Sequence, residues 1–180
     1  CYPVSDGSAA VLLVSEEMAE RFTDQPIYVV GSGQASDGAL AERTSLSEIP
    51  AAEKASKRAY EMAGLTPEDI DFAEVHDCFT IAEIMATEDL GFFARGEGWK
   101  AAMDGRTARD GSHPVNTSGG LKSKGHPVGA SGVAQVVEVW KQLHGLAGER
   151  QLRGNIRHAL THNVGGTGQT CVVHIFEKSN

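Results

Sequence analysis

Asn116-Thr117-Ser118-Gly119-Gly120-Leu121-Lys122-Ser123-Lys124-Gly125-His126-Pro127-Val128-Gly129-Ala130-Ser131-Gly132 is a glycine-dense run that hands over to an apolar segment. A helix is expected from Pro127 or Val128, carrying Val133, Val136, Val137 and Trp140 before Gly145. His126 then stands directly ahead of a helix, where the dipole opposes an imidazolium and favours the neutral ring. A neutral imidazole can take a proton from a thiol, as a general base must. Read alone, the same residues also fit an ordinary turn.

Working outward, two more histidine-bearing turns appear. One is Glu74-Val75-His76-Asp77-Cys78-Phe79, at an expected strand end. The other is His162-Asn163-Val164-Gly165-Gly166-Thr167-Gly168, between two expected strands. A lone histidine at a strand end is usually a satisfied polar residue. Three beside tight turns suggest a site, because glycine permits close approach and leaves amide N–H groups accessible. A metal site from His76, Asp77, Cys78, His126 and His162 is conceivable, but neither a helical HxxxH nor a paired CxxC supports it. Gly31-Ser32-Gly33 and Gly165-Gly166-Thr167-Gly168 lack the full GxGxxG followed by a helix, so a dinucleotide fold is not expected.

The remaining punctuation gives alternating elements. A buried strand is expected over 9–14, then a helix over 16–21 capped by Ser15. A strand over 27–30 is closed by Gly31-Ser32-Gly33, and 34–47 reads as a long polar loop. Pro50 suits the first turn of a helix ending before Gly64, with Ala52, Ala55, Ala59, Met62 and Ala63 on one side. Thr66-Pro67-Glu68-Asp69 is a capping-box start signal, followed by a strand over 70–75 and a helix over 79–90. Residues 91–111 read as a polar excursion, and strands are expected over 158–161 and 170–177. Strands interleaved with helices indicate α/β layering.

Composition narrows the function classes. With 41% hydrophobic and 22% charged residues among 180, the chain suits one folded domain. A net charge of −8 disfavours nucleic acid as a partner, though a local cluster could still hold a small phosphorylated ligand. Cys1, Cys78 and Cys171 are odd in number and lack CxxC spacing, which favours a reducing compartment. No apolar run approaches the roughly 20 residues of a membrane span, and no leader pattern opens the chain. The expectation is a cytoplasmic protein without membrane contacts. It opens on Cys1-Tyr2-Pro3 without methionine, as a fragment or processed product would.

Gly125-His126-Pro127-Val128-Gly129-Ala130-Ser131-Gly132 resembles the GHPxGxxG signature of thiolases. His76-Asp77-Cys78-Phe79 resembles the HDCF motif of sterol-carrier-protein-type and archaeal thiolases. His162-Asn163-Val164-Gly165-Gly166 resembles the archaeal variant of the family's Cys-x-Gly-Gly motif, and Pro3-Val4-Ser5-Asp6-Gly7-Ser8-Ala9-Ala10 resembles its domain junction. The resemblance runs the length of the chain. It implies the C-terminal half of an α/β/α/β/α layered architecture: a thiolase-like domain over 1–180, with a five-stranded mixed sheet flanked by helices. Residues 1–14 would be the junction and the last strand of a preceding half.

The implied chemistry is Claisen condensation of two acetyl-CoA, or cleavage of a 3-ketoacyl-CoA, in archaeal lipid metabolism through the mevalonate pathway. A cysteine in the preceding half would attack the thioester while His126 takes its proton. His76 and His126 would polarise the second thioester, His162 would move the α-proton, and the Val164 N–H would help hold an oxyanion. Ser56 would contact the pantetheine arm of coenzyme A. No cofactor is implied beyond coenzyme A thioesters as substrates, and no metal. The implied partners are the preceding half, a second copy of the chain, a zinc-ribbon/OB-fold protein and HMG-CoA synthase, for which 91–111 could supply contacts. An aldolase acting on coenzyme A thioesters, or a non-catalytic acyl-CoA-binding or assembly module, is the alternative. Neither Cys1, Cys78 nor Cys171 stands where the family keeps its nucleophile, so the chain alone is expected to be inactive.

Overall fold

The computed structural model describes residues 4–179. In chain order its elements are α1 (Glu16–Ala19), β1 (Ile27–Ser36), α2 (Pro50–Ala63), β2 (Phe72–Glu74), α3 (Thr80–Asp89), α4 (Gly98–Met103), α5 (Gly120–Lys124), α6 (Ser131–Leu143), β3 (His158–Gly165) and β4 (Thr170–Lys178). The sheet order is β1-β4-β3-β2. The β1–β4 and β3–β4 pairs are antiparallel and the β2–β3 pair is parallel, so the sheet is mixed as expected.

Side chains alternate across this sheet. Ala73, Val75, Leu160, Cys171, Val173 and Ile175 pack with α2 and the end of α3. Phe72, Ala159 and Phe176 pack with Val139 and Leu143 of α6. The result is three layers, helix on sheet on helix.

Four strands form among the described residues, against the five expected. Beside β2 the sheet continues as one parallel bridge, Ala73 to Val115. Ala73 donates its N–H to Pro114 at 3.0 Å, and Asn116 donates to the Ala73 carbonyl at 2.8 Å. Pro114 has no N–H to give, and Asn116 turns to φ 53, so the extended run stops after one residue. The strand expected over 9–14 is also absent: Leu12 and Leu13 are 69% and 75% exposed. An apolar run becomes a strand only where a neighbour meets its backbone hydrogen bonds, and no described strand pairs with it.

Strand β1 runs through Gly31 and Gly33 instead of stopping at them, with a bulge between Val29 and Gly31. These glycines are interior because α2 lies directly on them. A Cβ at Gly33 would come within 1.9 Å of the Ala55 carbonyl oxygen, and one at Gly31 within 2.4 Å of that of Ala59. The alanine stripe of α2, Ala51, Ala52, Ala55 and Ala59, completes the close approach, while Met62 faces outward. Residues 91–111 are also more ordered than an excursion: Phe92, Phe93 and Ala101 enter the core, and the Arg106 guanidinium lies 4.5 Å over the Phe93 ring.

Helix α6 begins at Ser131, later than Pro127, and turns a partly polar face inward. Ser131, Gln135, Glu138 and Gln142 are buried with Val139 and Leu143, leaving Val133, Val136 and Val137 half-buried and Trp140 exposed. Hydrogen bonds hold this face. Gln142 Nε2 donates to the Arg150 carbonyl at 3.0 Å, Leu152 N–H donates to Gln142 Oε1 at 2.9 Å, and Arg150 pairs with Glu138 at 3.0 Å. Apolar periodicity alone could not anticipate a helix anchored by amides.

Candidate active site

Three imidazoles meet where β2 ends, β3 passes and the α5–α6 connection crosses. His76 is their common member. Its ring stands edge-on to that of His126, with centroids 4.9 Å apart. Its backbone N–H donates to Nδ1 of His162 at 3.4 Å. All three side chains are buried.

Each ring is poised neutral. Burial pulls His76 down to about 4, with His126 adding to the effect and Asp77 opposing it. Burial and the neighbouring His76 pull His162 down to about 3. Burial also lowers His126, against the pull of Asp77. The expected helix dipole is not the cause, because Pro127–Ala130 form a turn: Ala130 and Ser131 donate to the Pro127 carbonyl at 2.9 and 3.0 Å.

Hydrogen bonds also set which ring nitrogen is basic. Ser131 Oγ donates to the Pro127 carbonyl at 3.0 Å and lies 2.5 Å from His126 Nδ1. With the hydroxyl's one proton directed to the Pro127 carbonyl, Oγ accepts from Nδ1–H, the tautomer that leaves the lone pair of His126 on Nε2. At His162 the order is reversed. An amide N–H can only donate, so Nδ1 holds the lone pair and the ring proton sits on Nε2.

A carboxylate frame carries these rings. Asp77 Oδ1 accepts the Leu121 N–H at 2.8 Å at the start of α5. Gly120 sits at φ +62, and a Cβ there would fall 2.2 Å from Asp77 Oδ2. Beneath, the buried Glu74 accepts from Ser118 N–H at 3.0 Å and meets Lys124 Nζ at 3.4 Å. Asn116 accepts the Val75 N–H and donates to Glu83, each at 2.8 Å. These bonds tie the end of β2 to the loop ahead of α5. Beside the His126 turn a cavity of ≈ 410 Å³ opens between Ser5–Ala9 and Pro127–Ala130.

His76, His126 and His162 are therefore brought together. Val164 lies further along β3, opposite Cys171, with its side chain against the core. Ser56 does not join them. It is buried in α2, where its hydroxyl reaches the Glu53 carbonyl at 2.9 Å and the Asp89 carbonyl at 3.3 Å. Its hydroxyl proton is used between α2 and α3, away from the three imidazoles. Sequence reasoning does not single out Ser131, Glu74 and Asn116 as site-building residues, and it offers Asp77 only as a conceivable metal ligand. Ser131 and Asp77 lie within the histidine motifs, but their roles depend on contacts across the sheet.

The described cysteines are poor nucleophiles. Burial raises the half-buried Cys78 and pushes Cys171, inside β4, up to about 12. Cys1 lies outside the described residues. Among the described residues no group of three or more His, Cys, Asp or Glu side chains could hold a metal ion. No described helix is long and apolar enough to cross a membrane.

A family model described as "Thiolase C-terminal domain-like" matches residues 32–178. The acetyl-CoA acetyltransferase of Methanothermobacter thermautotrophicus is 54% identical over 179 residues, covering 99% of this chain and 46% of that protein. That of Methanocaldococcus jannaschii is 45% identical over 182 residues, covering 97% of this chain and 46% of its own length. Human sterol carrier protein 2 is 37% identical over 183 residues, covering 98% of this chain and 33% of that protein. The chain thus spans less than half the length of these curated relatives. Among solved structures, the Ltp2-ChsH2(DUF35) aldolase superposes with a TM-score of 0.81 at 28% identity, over 91% of this chain and 42% of that one.

Proposed function

The chain belongs to the thiolase C-terminal domain-like family, and on that premise we propose that it supplies the acid–base half of an acyl-CoA thiolase. The reaction is Claisen condensation of two acetyl-CoA, or the reverse cleavage of a 3-ketoacyl-CoA. The observation that carries this reading is the meeting of three neutral imidazoles, one with its lone pair fixed on Nε2 by Ser131. His126 takes the proton of a cysteine thiol carried by a preceding half of the protein. That thiolate attacks the thioester carbon, and the proton passes to the departing coenzyme A. His76 and His126 then face the second thioester.

Incubating the full-length protein with acetyl-CoA tests the reading. One acetyl group should appear by mass spectrometry on a cysteine upstream of this chain, with release of coenzyme A. Absence of both sinks it.

A carbon–carbon lyase is the second reading, favoured by the superposition on the Ltp2-ChsH2(DUF35) aldolase. That structure pairs its aldolase with a DUF35 protein, and a partner of that kind would suit either reading. The reading predicts retro-aldol cleavage of a coenzyme A thioester with no cysteine acylated.

A further inference from the structure

We propose that His162 donates a hydrogen bond to the thioester oxygen of the second acyl-CoA as it becomes an enolate, and does not itself remove the α-proton. This rests on the thiolase reading above and changes one residue's part in it. The amide of His76 points its N–H at Nδ1 of His162. To act as a base through Nε2, the ring would have to carry its proton on Nδ1, and two donors would then face each other at 3.4 Å. The observed contact keeps the proton on Nε2.

That Nε2 is buried and has no acceptor among the described residues. A buried N–H with nothing to meet is costly, and such orphans mark places where a ligand completes the structure. His76 Nδ1, on the adjoining ring, is orphaned too. The strand behind is held still, since Gln135 Nε2 donates to the His162 carbonyl at 3.0 Å. The titratable neighbour that acts on the ring, His76, is itself lowered by burial and supplies no cation to draw the proton away. Burial disfavours any second proton on the ring, which suits a donor and handicaps a base.

The step balances with one base. The α C–H bond breaks and its proton passes to Nε2 of His126, already discharged after coenzyme A leaves. The electron pair becomes the enolate, whose oxygen accepts from His162 Nε2–H while that proton stays on His162. The carbon attacks the acyl carbon on the cysteine, the C–S bond breaks, and the thiolate recovers the proton from His126. A fixed donor of this type contributes about 100- to 1,000-fold to rate.

The experiment uses the full-length protein and follows loss of label from deuterated acetyl-CoA, with acylation measured separately. His162→Ala should slow exchange about 100- to 1,000-fold. His162→Gln, whose amide can still donate, should recover exchange to within about tenfold of wild type. Equal loss in both variants would overturn the proposal. Nitrogen NMR of ¹⁵N-histidine-labelled protein, with His162 assigned from the Gln variant, should show the Nε2–H tautomer. An Nδ1–H ring would overturn the proposal whatever the activity. Wild-type protein that is neither acylated nor active in exchange would instead sink the thiolase reading.

Discussion

At Ser131 one hydroxyl decides which nitrogen of His126 is basic. Ser131→Ala leaves Nδ1–H without its acceptor and lets the ring change tautomer. Stopped-flow acylation of the full-length protein should slow by about tenfold or more. His126→Ala should slow it by about 100- to 10,000-fold, as loss of a general base does. Equal rates in wild type and Ser131→Ala would show that the tautomer is held elsewhere. A second consequence is acid sensitivity. His162 falls from an ordinary 6.5 to about 3 in the folded chain, so folding disfavours its charged form. Its contribution is complete above pH 6.5 and is lost as pH falls towards 3, amounting to about 2 kcal/mol by pH 5. Urea unfolding at pH 7 and pH 5 should show this loss in wild type and a smaller one in His162→Gln. Parallel slopes would place the titration on another group.

The elements show which signals lay in the sequence and which did not. Helix α2 was legible from Pro50, its alanines and Gly64, because its start, stop and buried face are local features. Strand β1 was read as ending at Gly31, because glycine usually interrupts a strand. Its continuation to Ser36 depends on a helix twenty residues later pressing onto those same glycines. Gly33→Ala should therefore be severe for so small a change: the new methyl meets backbone, which cannot rotate away. A loss of about 3 kcal/mol or more is expected in chemical denaturation. A mild effect would mean that α2 can lift from the sheet. Helix α6 misled for a complementary reason. Its apolar residues mark a face that this chain leaves partly open, while Gln135 and Gln142 face inward on hydrogen bonds that no periodicity reveals.

For the whole molecule, the histidine motifs pointed to three residues that the fold brings together, but not to their wiring. His76, His126 and His162 were legible from their turns. The serine that orients one ring and the amide that orients another became visible only when β2, β3 and the α6 connection were brought together. Under the proposed function the chemistry is also divided between this chain and a preceding half. With Cys78 and Cys171 both raised by burial, the described residues offer His126 no ready thiol to deprotonate. Acetyl-CoA should leave the isolated chain unmodified, with no coenzyme A released, while the full-length protein is acylated. Acetylation of Cys78 together with turnover would make this half self-sufficient.

The order β1-β4-β3-β2 has a consequence for how the protein is made. Strand β4 is the last element in the described chain, yet it lies between β1 and β3, and its pairing with β1 joins Ile27 to Lys178. During synthesis β1 and α2 leave the ribosome long before their partner exists. Early-made glycines and alanines must wait with one edge unmatched until β4 emerges. Contacts so distant in sequence slow folding and expose intermediates. Nascent chains stalled before residue 170 should remain open to protease and chaperone along β1, because the keystone of the sheet has not yet been translated.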